Sequence, residues 1–363
     1  MIFQKKLILS LILLFLFLPK ENYSQNEICS YCKKEITNGQ YLQIEGKYFH
    51  SEHFKCSQCR KIIKGNYYSH EGKYFHEKCY KNSILEKCAQ CYKPIEGEYV
   101  TSSGKVYHKK CFENHVALKC SHCGKTISGK FYQDFWGNKY HWEHLDKEKQ
   151  CDYCQRLISY KVSGGGKELS DGRTICNLCN KSAVNNIRKA RQFLDEVKFK
   201  LKIQGIRIEN VEIELHLVDL DELKKIVKDG HSKNNVRGYS TYNYEKLNGE
   251  IIKKEFNIYI LNNMHESFFI SVAAHELMHI WQFVNSPEDN EKIFSEGSCE
   301  YASYIVVKSS YDKYYKYVKK NLEENNDPIY GAGFKRVKKM VDDKGKNYWL
   351  NILKTSKDFP RGY

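Results

Sequence analysis

The stretch "AAHELMHIWQ", residues 273–282, holds the residues best placed to do chemistry. His275 and His279 are four apart, so on a helix both imidazoles lie on one face and can bind one metal ion. Glu276 sits about 100° further round, beside such an ion rather than on it. From there its carboxylate can take a proton from a water activated by zinc. A catalytic zinc needs a third protein ligand and an open position. Sixteen residues separate His279 from Glu296 in "FSEGSCEYASYIVV" (294–307), with Glu300 one helical turn later. Sixteen residues suffice for a turn and an antiparallel return, with Glu296 opening the second helix. The natural assignment puts Glu296 on the metal and Glu300 behind it, holding the free nitrogen of a ligating histidine. Gly297 permits close approach of another helix. Without this context both glutamates would read as solvated helix carboxylates.

A second set of ligands fills residues 29–179. Cys29-x2-Cys32 is followed by His50-x2-His53, Cys56-x2-Cys59 by His76-x2-Cys79, and Cys88-x2-Cys91 by His108-x2-Cys111. Cys120-x2-Cys123 is followed by His141-x2-His144, and Cys151-x2-Cys154 by Cys176-x2-Cys179. Each interval is 16 to 21 residues, enough for a hairpin that returns the second pair to the first. The filler agrees: Gly39-Gln-Tyr41, Gly65-Asn-Tyr67, Gly97-Glu-Tyr99 and Gly129-Lys-Phe131 each place a turn residue before a strand-like run. Gly46-Lys-Tyr-Phe-His50, Gly72-Lys-Tyr-Phe-His76 and Gly104-Lys-Val-Tyr-His108 put an aromatic before the third ligand, where it can cover a hand too small for its own core. A disulfide framework is the rival reading. It does not explain histidine where other units place cysteine. Five closed, structural zinc sites are therefore expected, beside one catalytic zinc.

Several features bound the rest. A chain of 363 residues accommodates two or three domains. The formal charge of +15 reads as a lysine-rich solvated surface, with acidic partners as the sharper alternative. Residues 1–24 carry Lys5 and Lys6 and then a short apolar run, the pattern of a signal peptide cleaved near Ser24–Gln25. The expectation is an exported protein, periplasmic or secreted, with an N-terminal membrane anchor as the alternative. Nucleic acid is not an expected partner, because no finger helix lies between the ligand pairs. From about residue 183 longer elements take over: a helix over 183–202, a strand over 207–219 with Val211, Ile213, Leu215 and Leu217 on one face, a short helix capped by Asp221, a strand over 255–261, and a helix over about 266–284. That order suits an α+β zincin-like domain, a twisted sheet with the metal helix beneath it. The strand at 255–261 could present its edge to an extended peptide, or be an internal strand. Tyr301, Tyr304, Tyr330 and His265 are the candidates for stabilising an oxyanion. Cys299 reads as a small buried hydrophobe, with a redox switch as the alternative. His70, His115, His122, His216 and His231 fit no ligand pattern. Residues 163–173, "SGGGKELSDGR", read as a flexible loop, and 311–325 as a helix packing its tyrosines against the domain.

Two resemblances sharpen this. "HSEHFKCSQC", residues 50–59, with two hands separated by two residues and Phe54 between them, resembles a LIM domain over residues 25–82. The hands over 83–182 are LIM-like, with wider spacers. The His-Glu-x-x-His pair followed by Glu296 and Glu300 resembles the gluzincin metallopeptidases. The combination, with "YGAGFKRV" (330–337) and "DFP" (358–360), is similar to the plant LIM-domain, ubiquitin-activated, growth-restricting peptidases and their bacterial relatives. That resemblance implies a zincin-like peptidase domain over 183–363, zinc on His275, His279 and Glu296, and Glu276 as general base. It implies a protein or peptide substrate and protein partners for the hands. Ubiquitin activation is not carried over, because a leader stands where plant members have ubiquitin-interacting helices. The competing expectation is a non-catalytic interaction scaffold.

Overall fold

The computed structural model describes residues 3–4, 27–37, 41–209, 211–227, 236–248 and 250–363. The expected leader falls outside the described residues apart from Phe3 and Gln4, as do Gly39, Gln40 and His231. Among the described residues no helix is long and apolar enough to cross a membrane. The chain divides into two compact units, Met1–Leu118 and Lys119–Tyr363.

The first unit contains three hands. Each has a short antiparallel hairpin: Leu42–Ile44 with Lys47–Phe49, Tyr68–His70 with Lys73–Phe75, and Tyr99–Ser102 with Lys105–His108. Aromatic residues supply what core there is. Phe49, Phe54 and Tyr74 meet with ring centroids 5.1–5.8 Å apart, so the first two hands share one apolar cluster. Edge-to-face and tilted contacts at this range add to burial alone.

The second unit joins hands four and five to a helical and sheet region. Its elements are α1 (Ile187–Ile203), β1 (Ile213–Val218), α2 (Leu220–Ile226), β2 (Gly238–Leu247), β3 (Glu250–Leu261), α3 (Glu266–Asn285), α4 (Lys292–Val307), α5 (Lys313–Glu324), α6 (Tyr330–Lys344) and α7 (Lys346–Thr355). The sheet runs β1-β3-β2, with β1 parallel and β2 antiparallel to β3. β3 is thus the central strand and cannot present an edge to a peptide; the outer strand packed on α3 is β2. Three local readings shift. Asp219, not Asp221, caps α2, through a capping box with Glu222. α1 starts at Ile187 behind the Asn186 cap, because Ala183 and Val184 instead pair with His265 and Met264. α4 begins at Lys292, so Glu296 lies one turn inside it.

α3 is apolar nearly all round because it is enclosed. Phe268, Phe269, Ile270, Ala273, Ala274, Leu277, Met278, Ile280 and Trp281 are all buried. Full burial of each large side chain contributes about 1.5–3 kcal/mol. α4 crosses α6 at an unusually short distance. A Cβ at Gly297 would lie 2.3 Å from the carbonyl carbon of Gly333, and one at Gly333 2.3 Å from the carbonyl oxygen of Ile293. Only glycine allows that crossing.

Hand five is embedded in this core. Cys151, Cys154, Cys176 and Cys179 are at most 1% exposed and share one apolar cluster with α1, α3 and α4. The expected boundary at 182/183 therefore runs through a continuous core. Residues 163–173 are not a loose loop: they form one side of the hairpin Gly166–Glu168/Thr174–Cys176 and carry two anchors. Arg173 donates to the Asn262 carbonyl and side-chain oxygens (both 2.8 Å), to the Tyr153 hydroxyl (2.6 Å) and to Asp171 (2.8 Å). Asp171 in turn accepts from the Leu220 backbone N–H at 2.9 Å, so hand five holds the turn before α3 and the start of α2. Arg156 lies 3.5 Å over the Trp136 ring and donates to the Tyr314 hydroxyl, which ties hands four and five to α5.

This embedding predicts unequal consequences for the hands. Cys176→Ser should expose backbone amides of α3 to hydrogen exchange, whereas Cys56→Ser in hand two should leave α3 protected. Equal protection of α3 in both variants would show that hand five is dispensable to the core.

Candidate metal centre and its surroundings

In each hand the four ligand atoms lie within 4.8 Å of one another: Cys29, Cys32, His50, His53; Cys56, Cys59, His76, Cys79; Cys88, Cys91, His108, Cys111; Cys120, Cys123, His141, His144; Cys151, Cys154, Cys176, Cys179. None of the fifteen cysteines is disulfide-bonded. The Cys154–Cys176 sulfur separation of 3.6 Å matches the edge of a tetrahedron with zinc–sulfur bonds, about 3.8 Å. His76, His108 and His141 each direct Nε2 to a backbone carbonyl, of Ile62, Pro94 and Thr126, at 3.0–3.2 Å. An N–H donated there leaves Nδ1 facing the sulfurs, the tautomer that a ligand requires.

A further cluster lies between α3 and α4. His275 and His279 sit on one face of α3 with ring centroids 4.9 Å apart. Glu296 Oε2 on α4 lies 3.2 Å from His275 Nε2 and 3.4 Å from His279 Nε2. A tetrahedral zinc with bonds near 2.0–2.1 Å has ligand–ligand edges of about 3.3 Å, so these atoms are spaced to share one ion. Glu296 Oε2 is buried yet makes no hydrogen bond of acceptable geometry. A buried carboxylate oxygen left unsatisfied is costly, and a cation at the meeting point of the three groups removes that cost. The donor set, two imidazoles and one carboxylate, fits zinc.

The electrostatics agree. Burial works against ionising Glu296, and the two imidazoles more than offset it, holding its carboxyl well below the usual range. Burial likewise opposes a proton on His275, but Glu296 and Glu300 outweigh it and raise the imidazole well above its ordinary value. A bound cation would take the place of that proton. Glu300 Oε1 lies 3.1 Å from His275 Nδ1, which fixes the ring with Nε2 toward Glu296.

Four neighbours, Gln282, Cys299, Gly238 and Ser240, gave no sign in the sequence of their contact with these groups. Gln282 Oε1 lies 3.2 Å from His279 Nδ1, while its amide donates to the Ser295 carbonyl and Ser295 Oγ donates back to Oε1. Cys299 is fully buried, but its Sγ lies 3.4 Å from His279 Nδ1, so it touches that ring as well as filling space. Burial pushes its thiol well up, and the carboxylates of Glu296, Glu276 and Glu300 add to that, keeping it protonated. On the sheet side, β2 presses against Glu276. A Cβ at Gly238 would lie 2.7 Å from Glu276 Oε1, and Ser240 hydrogen-bonds the same carboxylate. Burial raises the Glu276 carboxyl above its usual value.

The four oxyanion candidates separate. Tyr330, at the start of α6, has its ring centroid 6.3 Å from that of His275. Burial raises its phenol, and the charges of Glu296, Glu300 and Glu276 raise it further. Tyr301 and Tyr304 instead pack on Phe334, with Trp349 against Tyr301. His265 is buried, stacked on Tyr314 at 3.9 Å, and its Nδ1 accepts from the Ser267 backbone N–H, so it caps α3. His122 pairs with Glu148 at 3.3 Å and lies against His144; His216 stacks on Tyr259.

Burial lowers the His265 pKa to about 4. The unfolded residue titrates near 6.5, so below that pH the unfolded chain gains a proton that the native chain resists. Stability from this group is full above about pH 6.5 and is lost as pH falls toward 4, by about 2 kcal/mol at pH 5. His265→Asn keeps a capping side chain and should flatten the fall in stability between pH 7 and 5, measured by denaturant unfolding in excess zinc. An unchanged slope would remove His265 as its source.

The LIM domain family matches residues 29–84. Over longer spans the chain is similar to the LIM domain-containing protein HDR3 of rice, 22% identical across 78% of this chain and 56% of that protein. It is similar to Protein DA1-related 2 of Arabidopsis thaliana, 21% identical across 80% of this chain and 55% of that protein. Protein DA1 of the same plant is 23% identical across 92% of this chain and 68% of its own length. The chain spans little more than half the length of the first two of these relatives. It carries a LIM domain, with further Cys/His clusters that indicate zinc binding, and it is homologous to DA1 and the DA1-related LIM-domain proteins.

Proposed function

We propose that the chain is a zinc-dependent metallopeptidase of the zincin type that hydrolyses peptide bonds in protein substrates. One observation carries the reading: Glu296 Oε2, buried without a hydrogen bond, meets the Nε2 atoms of His275 and His279 at tetrahedral spacing, with Glu276 alongside. His275, His279 and Glu296 would hold the ion. Zinc there would supply Lewis-acid polarisation of the scissile carbonyl and lower the pKa of an attacking water.

The protein's own groups do the rest. Glu276 accepts the proton as the water oxygen bonds to the carbonyl carbon. It returns that proton to the amide nitrogen as the carbon–nitrogen bond breaks. Its raised pKa suits both roles, and Ser240 and Gly238 fix where its carboxylate stands. Tyr330 donates its phenolic hydrogen to the carbonyl oxygen as negative charge develops. Glu300 and Gln282 hold the two imidazoles in register. The first three hands serve recruitment of protein partners, as LIM domains generally mediate protein contacts. The basic and apolar start of the sequence supports export, so the proposed substrates lie outside the cytoplasm. An interaction scaffold with an inert metal site is the alternative.

Glu276→Gln should retain its zinc and lose at least a hundredfold in peptide cleavage; Tyr330→Phe should lose tenfold or more in kcat with KM little changed. The wild-type kcat/KM should fall at acid pH as Glu276 is protonated, since it must be ionised to act. Cleavage undiminished in Glu276→Gln would contradict the mechanism, and a zinc-loaded wild type that cleaves no peptide would favour the scaffold.

A further inference from the structure

Alternate residues of β2 run along α3. Gly238 and Ser240 lie against Glu276, and the next residue on that face, Tyr242, stacks on Phe283, centroids 5.8 Å apart at 22°. From Gly238 to Tyr242 the strand advances about 13.6 Å and from Glu276 to Phe283 the helix about 10.5 Å, a difference that the long Tyr242 and Phe283 side chains span. Phe283 is one turn beyond His279, the two rings 6.4 Å apart and nearly parallel. Tyr242 is backed by Phe256 at 4.9 Å and flanked by Tyr244 at 5.4 Å. A stack of rings thus starts at a proposed metal ligand and continues outward along the sheet's outer strand.

The stack is open to solvent where it leaves the site: Phe283 is 40% and Tyr244 45% exposed, with Val284 beside Phe283 at 46%. A lone exposed aromatic residue needs no explanation, but a rigid, backed stack continuous with a catalytic cluster does.

We propose that Tyr242, Tyr244 and Phe283 form the subsite that selects the substrate, taking a large apolar side chain, aromatic above all, within two residues of the scissile bond. This rests on the metallopeptidase reading and adds its substrate class. An extended chain lying beside β2 with its reacting carbonyl at Glu276 places the side chain one or two residues away over the rings, because the strand reaches Tyr242 two residues after Ser240. An ionised side chain would lose hydration against the rings and is disfavoured.

The test uses the purified zinc-loaded chain and a dodecapeptide mixture varied at every position, with cleavage sites read by mass spectrometry. It is followed by kcat/KM on paired peptides carrying Phe, Ala or Glu at the selected position. Wild type should prefer Phe over Ala by at least tenfold and reject Glu. Phe283→Ala should reduce the Phe-to-Ala ratio to within about threefold of unity, and Phe283→Leu should restore most of it. Because Phe283 is partly exposed, zinc content and thermal unfolding of each variant serve as the folding check. Cleavage by wild type without apolar preference, or with a preference that Phe283→Ala leaves intact, overturns the subsite and leaves the peptidase standing. No cleavage of any peptide by zinc-loaded wild type overturns the peptidase reading, and the subsite with it.

Discussion

A carboxylate oxygen buried between two imidazole nitrogens is stable only if positive charge sits among them. At Glu296, His275 and His279 that charge is either a proton on an imidazole or a divalent ion. The proton satisfies one pair; an ion at the centre satisfies all three groups at once, at the separations seen. Much of the second unit follows from holding these three side chains together. α3 is buried along most of its length up to Gln282, which holds its two imidazoles at fixed angles, and its sequence is apolar even where helices usually meet water. α4 has to lie close enough to deliver Glu296, and the glycine crossing of Gly297 and Gly333 sets its position against α6. That same α6 brings Tyr330 beside His275.

The zinc hands divide into two kinds by what surrounds them. Hands one to three have small aromatic cores in their own unit. Hand five has no separate core: its four cysteines belong to the interior of the second unit, and Arg173 and Asp171 secure the turn before α3 and the start of α2. Folding of such a site is coupled to metal binding, because the ligands are brought together only in the native chain. Metal in hand five and order in α3 are therefore linked, although the ligands of the two sites are different residues. The near-complete burial of Arg173 is tolerable because nearly every donor it has finds an oxygen.

The ligand spacing, the paired histidines on one helix face and the two glutamates a turn apart were legible in the sequence because they are local: helix and hairpin periodicities place them without reference to the rest of the fold. What was not legible depends on tertiary contact. Nothing in "GYSTY" says that Gly238 and Ser240 will meet Glu276, since strand order is set by long-range pairing. For the same reason the strand over 255–261 could be read as an edge or as an interior strand, and it is central. Gln282 looked like an ordinary helix residue, and Cys299 like filler, until α3 and α4 were packed. Hand five looked like the other four, because four cysteines in two pairs give no sign of whether solvent or a core surrounds them. Asp171 and Arg173 sat in a glycine-rich run that resembled a loop.

The most direct test of the central claim is the zinc content of the purified chain and of His279→Ala. A metal centre on α3 and α4, separate from the five hands, predicts about six zinc ions in wild type and about five in the variant, with the hands undisturbed. Equal zinc content in the two proteins, near five, would mean that His275, His279 and Glu296 hold a proton rather than an ion, and the catalytic reading would fall.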